Sequence, residues 1–302
     1  MKTKTFTIIS DFDGLALQGA LIEPHGEKKA IVQIVHGMCE YKERYFPFMQ
    51  FLAEHGYIAV CHDQRGHGDS VLPNEPRGFF GDYDGVAIVD DAAQVTEYLK
   101  TRYPGLKVFL FGHSMGSMVV RCYLREYDVK IDKLVVCGSP SENPLAGVAI
   151  GLEKTVRLFR GARHTSKMLA YLSTGKGDEN FPNEGKDAWL SHNRENIQEF
   201  QTNPKSNFTF TCNGFENLFK LMKRTYTKKG YRLQNVELPI RFIAGSDDAV
   251  IGSEDQWLKA IGFLREVGYK NVSGKLYHGL RHELLNEMEN EQVYADMLAF
   301  FD

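Results

Sequence analysis

Three sets of residues in this chain could carry out nucleophilic chemistry together: a serine in a glycine-flanked turn, a pair of aspartates and a pair of histidines. The serine is the most specific signal. Gly112-His113-Ser114-Met115-Gly116 follows the apolar run 108–111 and opens the helix-compatible stretch 117–127, so a G-x-S-x-G pentapeptide sits at a predicted strand-to-helix turn. A serine in so tight a turn has a strained backbone, and the glycines two residues to either side remove side chains that would meet the neighbouring strand and helix. The hydroxyl is thereby exposed. The helix that follows directs its unpaired N-terminal amides at the attacking atom, so the Met115 N–H can stabilise negative charge growing on a substrate oxygen.

A serine hydroxyl is a weak nucleophile at neutral pH, so it needs a histidine to take its proton and a carboxylate to orient that histidine. Two later runs end in candidates. Gly245-Ser246-Asp247-Asp248 follows 240–244, and His278-Gly279-Leu280-Arg281-His282-Glu283 follows 275–277. Spacing alone leaves Asp247 and Asp248 open, and likewise His278 and His282. The chain order is serine, aspartate, histidine, and in a parallel sheet all such loops emerge at one carboxyl edge and converge on one crevice.

The elements that must position these residues are legible as an alternation. Runs 30–35, 57–61, 108–111, 133–137, 240–244 and 275–277 read as buried strands. Stretches 84–103, 256–267 and 283–301 carry helical apolar spacing. This implies a mainly parallel sheet covered on both faces. The opening segment 3–22, broken by Asp11-Phe12-Asp13-Gly14, reads as an antiparallel hairpin at one edge. The alternation fails over 141–230, which is too long for a plain connection and too apolar for a linker. The expected division is therefore a core of residues 1–140 and 231–302 with a mostly helical cap inserted at 141–230.

These motifs resemble the monoacylglycerol lipase and lysophospholipase branch of the α/β-hydrolases, the serine aminopeptidase S33-like family, over nearly the full length. Its H-G-x-x-E-x-x-x-R-Y signature stands as His36-Gly37-Met38-Cys39-Glu40-Tyr41-Lys42-Glu43-Arg44-Tyr45, and its D-x-x-G-H-G-x-S turn as Asp63-Gln64-Arg65-Gly66-His67-Gly68-Asp69-Ser70. The resemblance implies an eight-stranded α/β-hydrolase fold and a triad of Ser114, Asp248 and His282, because the family's acid follows G-S-x-D and its base precedes a glutamate. It also implies an oxyanion hole formed by the backbone N–H groups of Met38 and Met115, and hydrolysis of medium- to long-chain acyl esters without a metal or organic cofactor. A peptidase is the alternative, with Glu153, Asp178, Glu179, Glu184 and Asp187 as candidate partners for a substrate ammonium; a noncatalytic ligand receptor is a third. Many relatives carry glycine and histidine where this chain has Cys39 and Tyr41. Glu40, Arg44 and Tyr45 read as hydrogen-bonding supports of the oxyanion loop, not as reacting groups.

Composition narrows the remaining classes. The chain has 302 residues, 43% hydrophobic and 25% charged, with a net charge of −3 and dispersed basic residues, which excludes a nucleic-acid footprint. Cys39, Cys61, Cys122, Cys137 and Cys212 are odd in number and lack C-x-x-C spacing, which argues for reduced thiols and against disulfides or zinc. His62 and His67 flank a glycine-rich turn without completing a metal set. Residues 1–10 lack a signal-sequence core and no window reaches membrane-span length, so a cytoplasmic protein is expected. Stretch 144–163 mixes apolar residues with Lys154, Arg157, Arg160 and Arg163, a pattern that suits transient contact with a membrane surface and equally a helix packed on the body. No oligomeric state is legible.

Overall fold

Short runs of β-branched residues alternate with amphipathic stretches, and the computed structural model, which describes residues 1–174 and 177–302, turns that alternation into layers. The strands are β1 (Thr3–Ile9), β2 (Ala16–Ile22), β3 (Ala30–Val35), β4 (Tyr57–His62), β5 (Val108–His113), β6 (Lys133–Cys137), β7 (Ile240–Gly245) and β8 (Val272–Tyr277). They form one eight-stranded sheet in the order β1-β2-β4-β3-β5-β6-β7-β8. β1 and β2 form the expected antiparallel hairpin, with Thr3 opposite Ile22 and Ile9 opposite Ala16, and β2 runs antiparallel to β4. The neighbours from β4 to β8 are parallel.

The helices are α1 (Phe46–Glu54), α2 (Ala87–Arg102), α3 (Met115–Tyr127), α4 (Ala146–Arg160), α5 (Lys167–Thr174), α6 (Arg194–Thr202), α7 (Cys212–Thr225), α8 (Glu254–Val267) and α9 (Asn290–Phe301). Successive side chains of a strand point to opposite faces. In β3, Ile31 and Val35 therefore join one core with Val89, Val119 and Ile261 from α2, α3 and α8, while Val32 and Ile34 join another with Leu52 and Met297 from α1 and α9. Cover on both faces explains why the central strands read as unbroken apolar runs.

Several boundaries differ from the sequence reading, and two of them have a visible cause. β8 begins at Val272, before the predicted 275, because it is an edge strand whose outer residues stay exposed and polar. The last helix begins at Asn290 instead of 283, after a short 3-10 turn at Leu284–Asn286. Glu287 explains the delay. Its carboxylate accepts from the Ser191 hydroxyl at 2.7 Å and from the His192 and Arg281 backbone N–H groups at 2.8 and 2.9 Å, so tertiary bonds override helical spacing there.

Residues 141–230 hold α4 to α7 and 3-10 turns at Gly177–Asn180 and Ala188–Leu190. α4 packs on α7, and α7 packs in turn on α3. Leu145, Val148, Leu158 and Phe159 on and beside α4 are 63–80% exposed. Among the described residues no helix is long and apolar enough to cross a membrane. The five cysteines are all buried and unpaired.

Candidate active site

Ser114 is the hinge between β5 and α3. Its φ of 53° and ψ of −118° lie in territory that residues with a side chain seldom occupy, the strain expected of a nucleophile turn. Its N–H donates to the Cys137 carbonyl at 2.9 Å, which ties the turn to β6. A Cβ on Gly116 would run into the Val35 and His36 carbonyls, so α3 approaches β3 this closely only with glycine there. Ser114 is half-buried and lines a cavity of about 730 Å³.

Asp248 and His282 meet beside the same cavity. The His282 Nδ1–H donates to the Asp248 carboxylate at 2.9 and 3.0 Å, and both side chains are buried. Asp247 and His278 are exposed, so the two alternatives that spacing left open are not brought together. Gly138, at φ 55°, borders the pair; a Cβ there would stand 3.1 Å from the His282 Cε1 and 3.3 Å from an Asp248 oxygen.

Met38 and Met115 line the cavity together with Ser114 and His282. Among the described residues neither backbone N–H donates to an acceptor of the chain. The loop carrying Met38 is fixed by Glu40, whose carboxylate accepts from the Gly37 N–H at 2.6 Å and the Tyr45 hydroxyl at 2.9 Å.

Sequence reasoning missed His113 and Glu283, although both lie inside quoted motifs. His113 donates from Nδ1 to Glu40 at 3.0 Å and from Nε2 to the His282 carbonyl at 3.1 Å. Burial opposes charge on this ring, yet the facing Glu40 outweighs it and lifts His113 above its ordinary value. Burial likewise opposes charge on Glu40, which His113 and Arg44 nevertheless hold well below the usual carboxylate range. Arg44 is the shared cation. Its guanidinium donates to Glu283 at 2.7 and 3.0 Å, to Glu40 at 3.3 Å and to Asn196 of α6 at 2.7 Å. One buried charge thus joins the Met38 loop, the His282 loop and α6. Tyr41 adds a bond to Glu199, and Asn203 donates to its hydroxyl at 2.7 Å.

The family model for serine aminopeptidase, S33, matches residues 26–289, a span that includes all these groups. The chain belongs to the serine aminopeptidase S33 family. Human monoglyceride lipase is 25% identical over 280 residues, covering 91% of this chain and 82% of that protein. The monoacylglycerol lipase of Mycolicibacterium smegmatis is 24% identical over 277 residues, covering 92% and 89%. A solved thermostable carboxyl esterase from Bacillus coagulans shares the fold, with a TM-score of 0.90 at 24% identity over 99% of this chain and 98% of that one. The chain is therefore a hydrolase of the α/β-hydrolase fold, in the monoglyceride lipase and lysophospholipase branch that its motifs imply.

Within this family a peptidase would need a free acid for a substrate ammonium. Of the five acids considered, Asp178, Glu179 and Asp187 line the cavity. Asp178 accepts from the Asp187 and Trp189 backbone N–H groups at 2.9 and 3.3 Å, Glu179 from the Tyr171 hydroxyl at 3.2 Å, and Asp187 from Gln201 at 3.1 Å. Glu184 pairs with Arg281 at 2.7 Å. Glu153 sits between α4 and α7 instead, 3.2 Å from Arg157, where burial and the nearby Glu216 push its carboxyl up to about 7. Among the described residues no cluster of His, Cys, Asp and Glu is arranged to hold a metal ion, and His67 spends Nδ1 on the Arg65 carbonyl at 3.0 Å. Cys39 donates to the Phe208 carbonyl at 3.3 Å, and burial, then Glu40, push its thiol up, as fits an inert residue.

Proposed function

We propose that the chain hydrolyses carboxylic esters of medium- to long-chain acyl groups, as a monoacylglycerol lipase or lysophospholipase does, through an acyl-enzyme on Ser114. The observation that carries this reading is the buried Asp248–His282 pair bordering the cavity into which the strained Ser114 turn opens. Ser114 attacks the ester carbonyl carbon while His282 takes its proton at Nε2. Asp248 holds the opposite nitrogen protonated and supports the imidazolium. The Met38 and Met115 N–H groups receive the oxyanion. His282 then protonates the departing alcohol, leaving the acyl group on Ser114; water deprotonated by the same histidine attacks this ester and releases the carboxylic acid.

Met115, Met118, Leu172, Phe208, Leu218 and Met222 supply apolar cavity wall for an acyl chain. Residues 141–230 act in this reading as a cap inserted in a core of 1–140 and 231–302. The exposed apolar face of α4 makes transient contact with a lipid surface. Internal bonding of the cavity acids favours esters over aminoacyl substrates. A fluorophosphonate probe should label the wild type and not Ser114→Ala, and a long-chain nitrophenyl ester should be cleaved faster than an aminoacyl nitroanilide. An unlabelled wild type, or preference for the anilide, overturns the proposal.

A further inference from the structure

His282 has a neighbour that belongs to neither the triad nor the sheet. The indole of Trp189 lies with its ring centroid 5.1 Å from that of the His282 imidazole, tilted by 39°, nearer a stack than an edge contact. The approach is built in register. Arg281 donates to the Ala188 carbonyl at 2.8 Å and the Glu283 N–H donates to the Leu190 carbonyl at 2.8 Å, so the residues flanking His282 are bonded to those flanking Trp189. Gly177 backs the indole, since a Cβ there would stand 2.5 Å from the indole Cγ. Asp178 accepts from the Trp189 backbone N–H at 3.3 Å.

We propose that Trp189 is a positioning residue for the base, its indole stabilising the positive charge that His282 acquires when it takes the proton of Ser114. This rests on the serine-hydrolase reading above. The charged and titratable groups facing His282 are Asp248 from the loop after β7, His113 at the end of β5, and Glu40 beyond His113; Glu283 follows it in the chain and is committed to Arg44. The His113 ring lies 4.7 Å away with acceptors at both of its nitrogens, an arrangement that favours its cation and opposes a second positive charge on His282. Arg281 directs its guanidinium elsewhere, over Phe181 at 3.9 Å. An aromatic ring within about 6 Å of a cation offsets such repulsion electrostatically.

The charge exists only after the proton moves, so the contact acts in the transition state more than in substrate binding. Trp189→Leu, which keeps apolar bulk and removes the π-face, should slow acylation by about 2- to 30-fold with KM nearly unchanged. The acid limb of its kcat/KM profile should move to lower pH. Trp189→Phe should recover most of the rate, and Trp189→Met repeats the test should the leucine variant not fold. Acylation is read from the nitrophenolate burst, and folding from thermal melting. Wild-type acylation and pH limb in the leucine or methionine variant, or a loss confined to KM, overturns the inference and leaves Ser114 labelling intact. A wild type that takes no fluorophosphonate removes the serine reading itself.

Discussion

Replacing Glu153 by glutamine should make the protein more stable at alkaline pH and leave it unchanged in acid. The carboxyl is buried between α4 and α7, and its nearest cation, Arg157, is shared with Glu216 at 3.5 Å. Lys220 serves Glu216 at 3.1 Å. Burial and that second carboxylate raise Glu153 from an ordinary 4.5 to about 7. A folded-state value above the unfolded one means that the folded protein holds the proton more tightly. Its stabilising effect is full below 4.5 and is lost as pH rises to about 7. The rise of about 2.5 corresponds at ~1.36 kcal/mol each to at most ~3.4 kcal/mol. Arg157 is 32% exposed and Lys220 25%, so solvent screens part of this. The retained effect is roughly 1–2 kcal/mol, or a difference of about 2–3 °C in Tm for a chain of 302 residues. Glutamine keeps the shape, carries no charge and can donate to Glu216. Thermal melts of wild type and Glu153→Gln from pH 4 to 9 should therefore coincide below about pH 4.5, diverge as pH rises to about 7 and reach their full separation above it, with the variant higher. A constant gap, or a wild type that gains on the variant as pH rises, refutes the reasoning.

Asp248→Asn should leave the fold intact and cut ester turnover by about 10³- to 10⁴-fold at neutral pH, because an amide no longer fixes the imidazole tautomer; melting and steady-state rates separate the two effects. Arg44→Met should destabilise by about 3–5 kcal/mol, since it strands the buried Glu283 without its cation and leaves the buried Glu40 with His113 alone, and chemical denaturation reads the loss. Gly138→Ala places a β-carbon in left-handed backbone against the Asp248–His282 pair. It should cost about 1–2 kcal/mol and lower kcat as well, measured on the folded fraction. Charging the face of α4 with Leu158→Glu and Phe159→Glu together should reduce co-sedimentation with anionic vesicles while sparing hydrolysis of a soluble short-chain ester.

The central sheet was legible because β3 to β7 are covered on both faces, which writes them as apolar runs that no surface helix would carry. β8 was half hidden, since Ser273, Gly274 and Lys275 stay exposed in this edge strand and interrupt its apolar run. The start of α9 was misread because Glu287 is spent on three donors distant in space, and periodicity carries no record of such bonds. Ser114 announced itself through the turn that strains it. The choice between Asp247 and Asp248 needed either a family pattern or the structure, because adjacent residues differ only in which way the loop turns them. Trp189 illustrates the remaining gap. Its composition matched that of Phe219, which packs into the core, and only the pairing of 188–190 with the His282 loop sets it apart.

The five buried thiols make the folded molecule chemically quiet, because burial lifts Cys39, Cys61, Cys122, Cys137 and Cys212 above the ordinary thiol value. Quiet thiols are also well-placed clocks. Cys61 and Cys137 lie within β4 and β6 and can meet a maleimide only when the sheet parts. Cys212 opens α7 and is uncovered when that helix loosens, while Cys39 waits beside the Met38 loop. The order in which a mild reagent modifies them, read by mass spectrometry of single peptides, would date the opening of each region of the native protein without adding a single foreign residue.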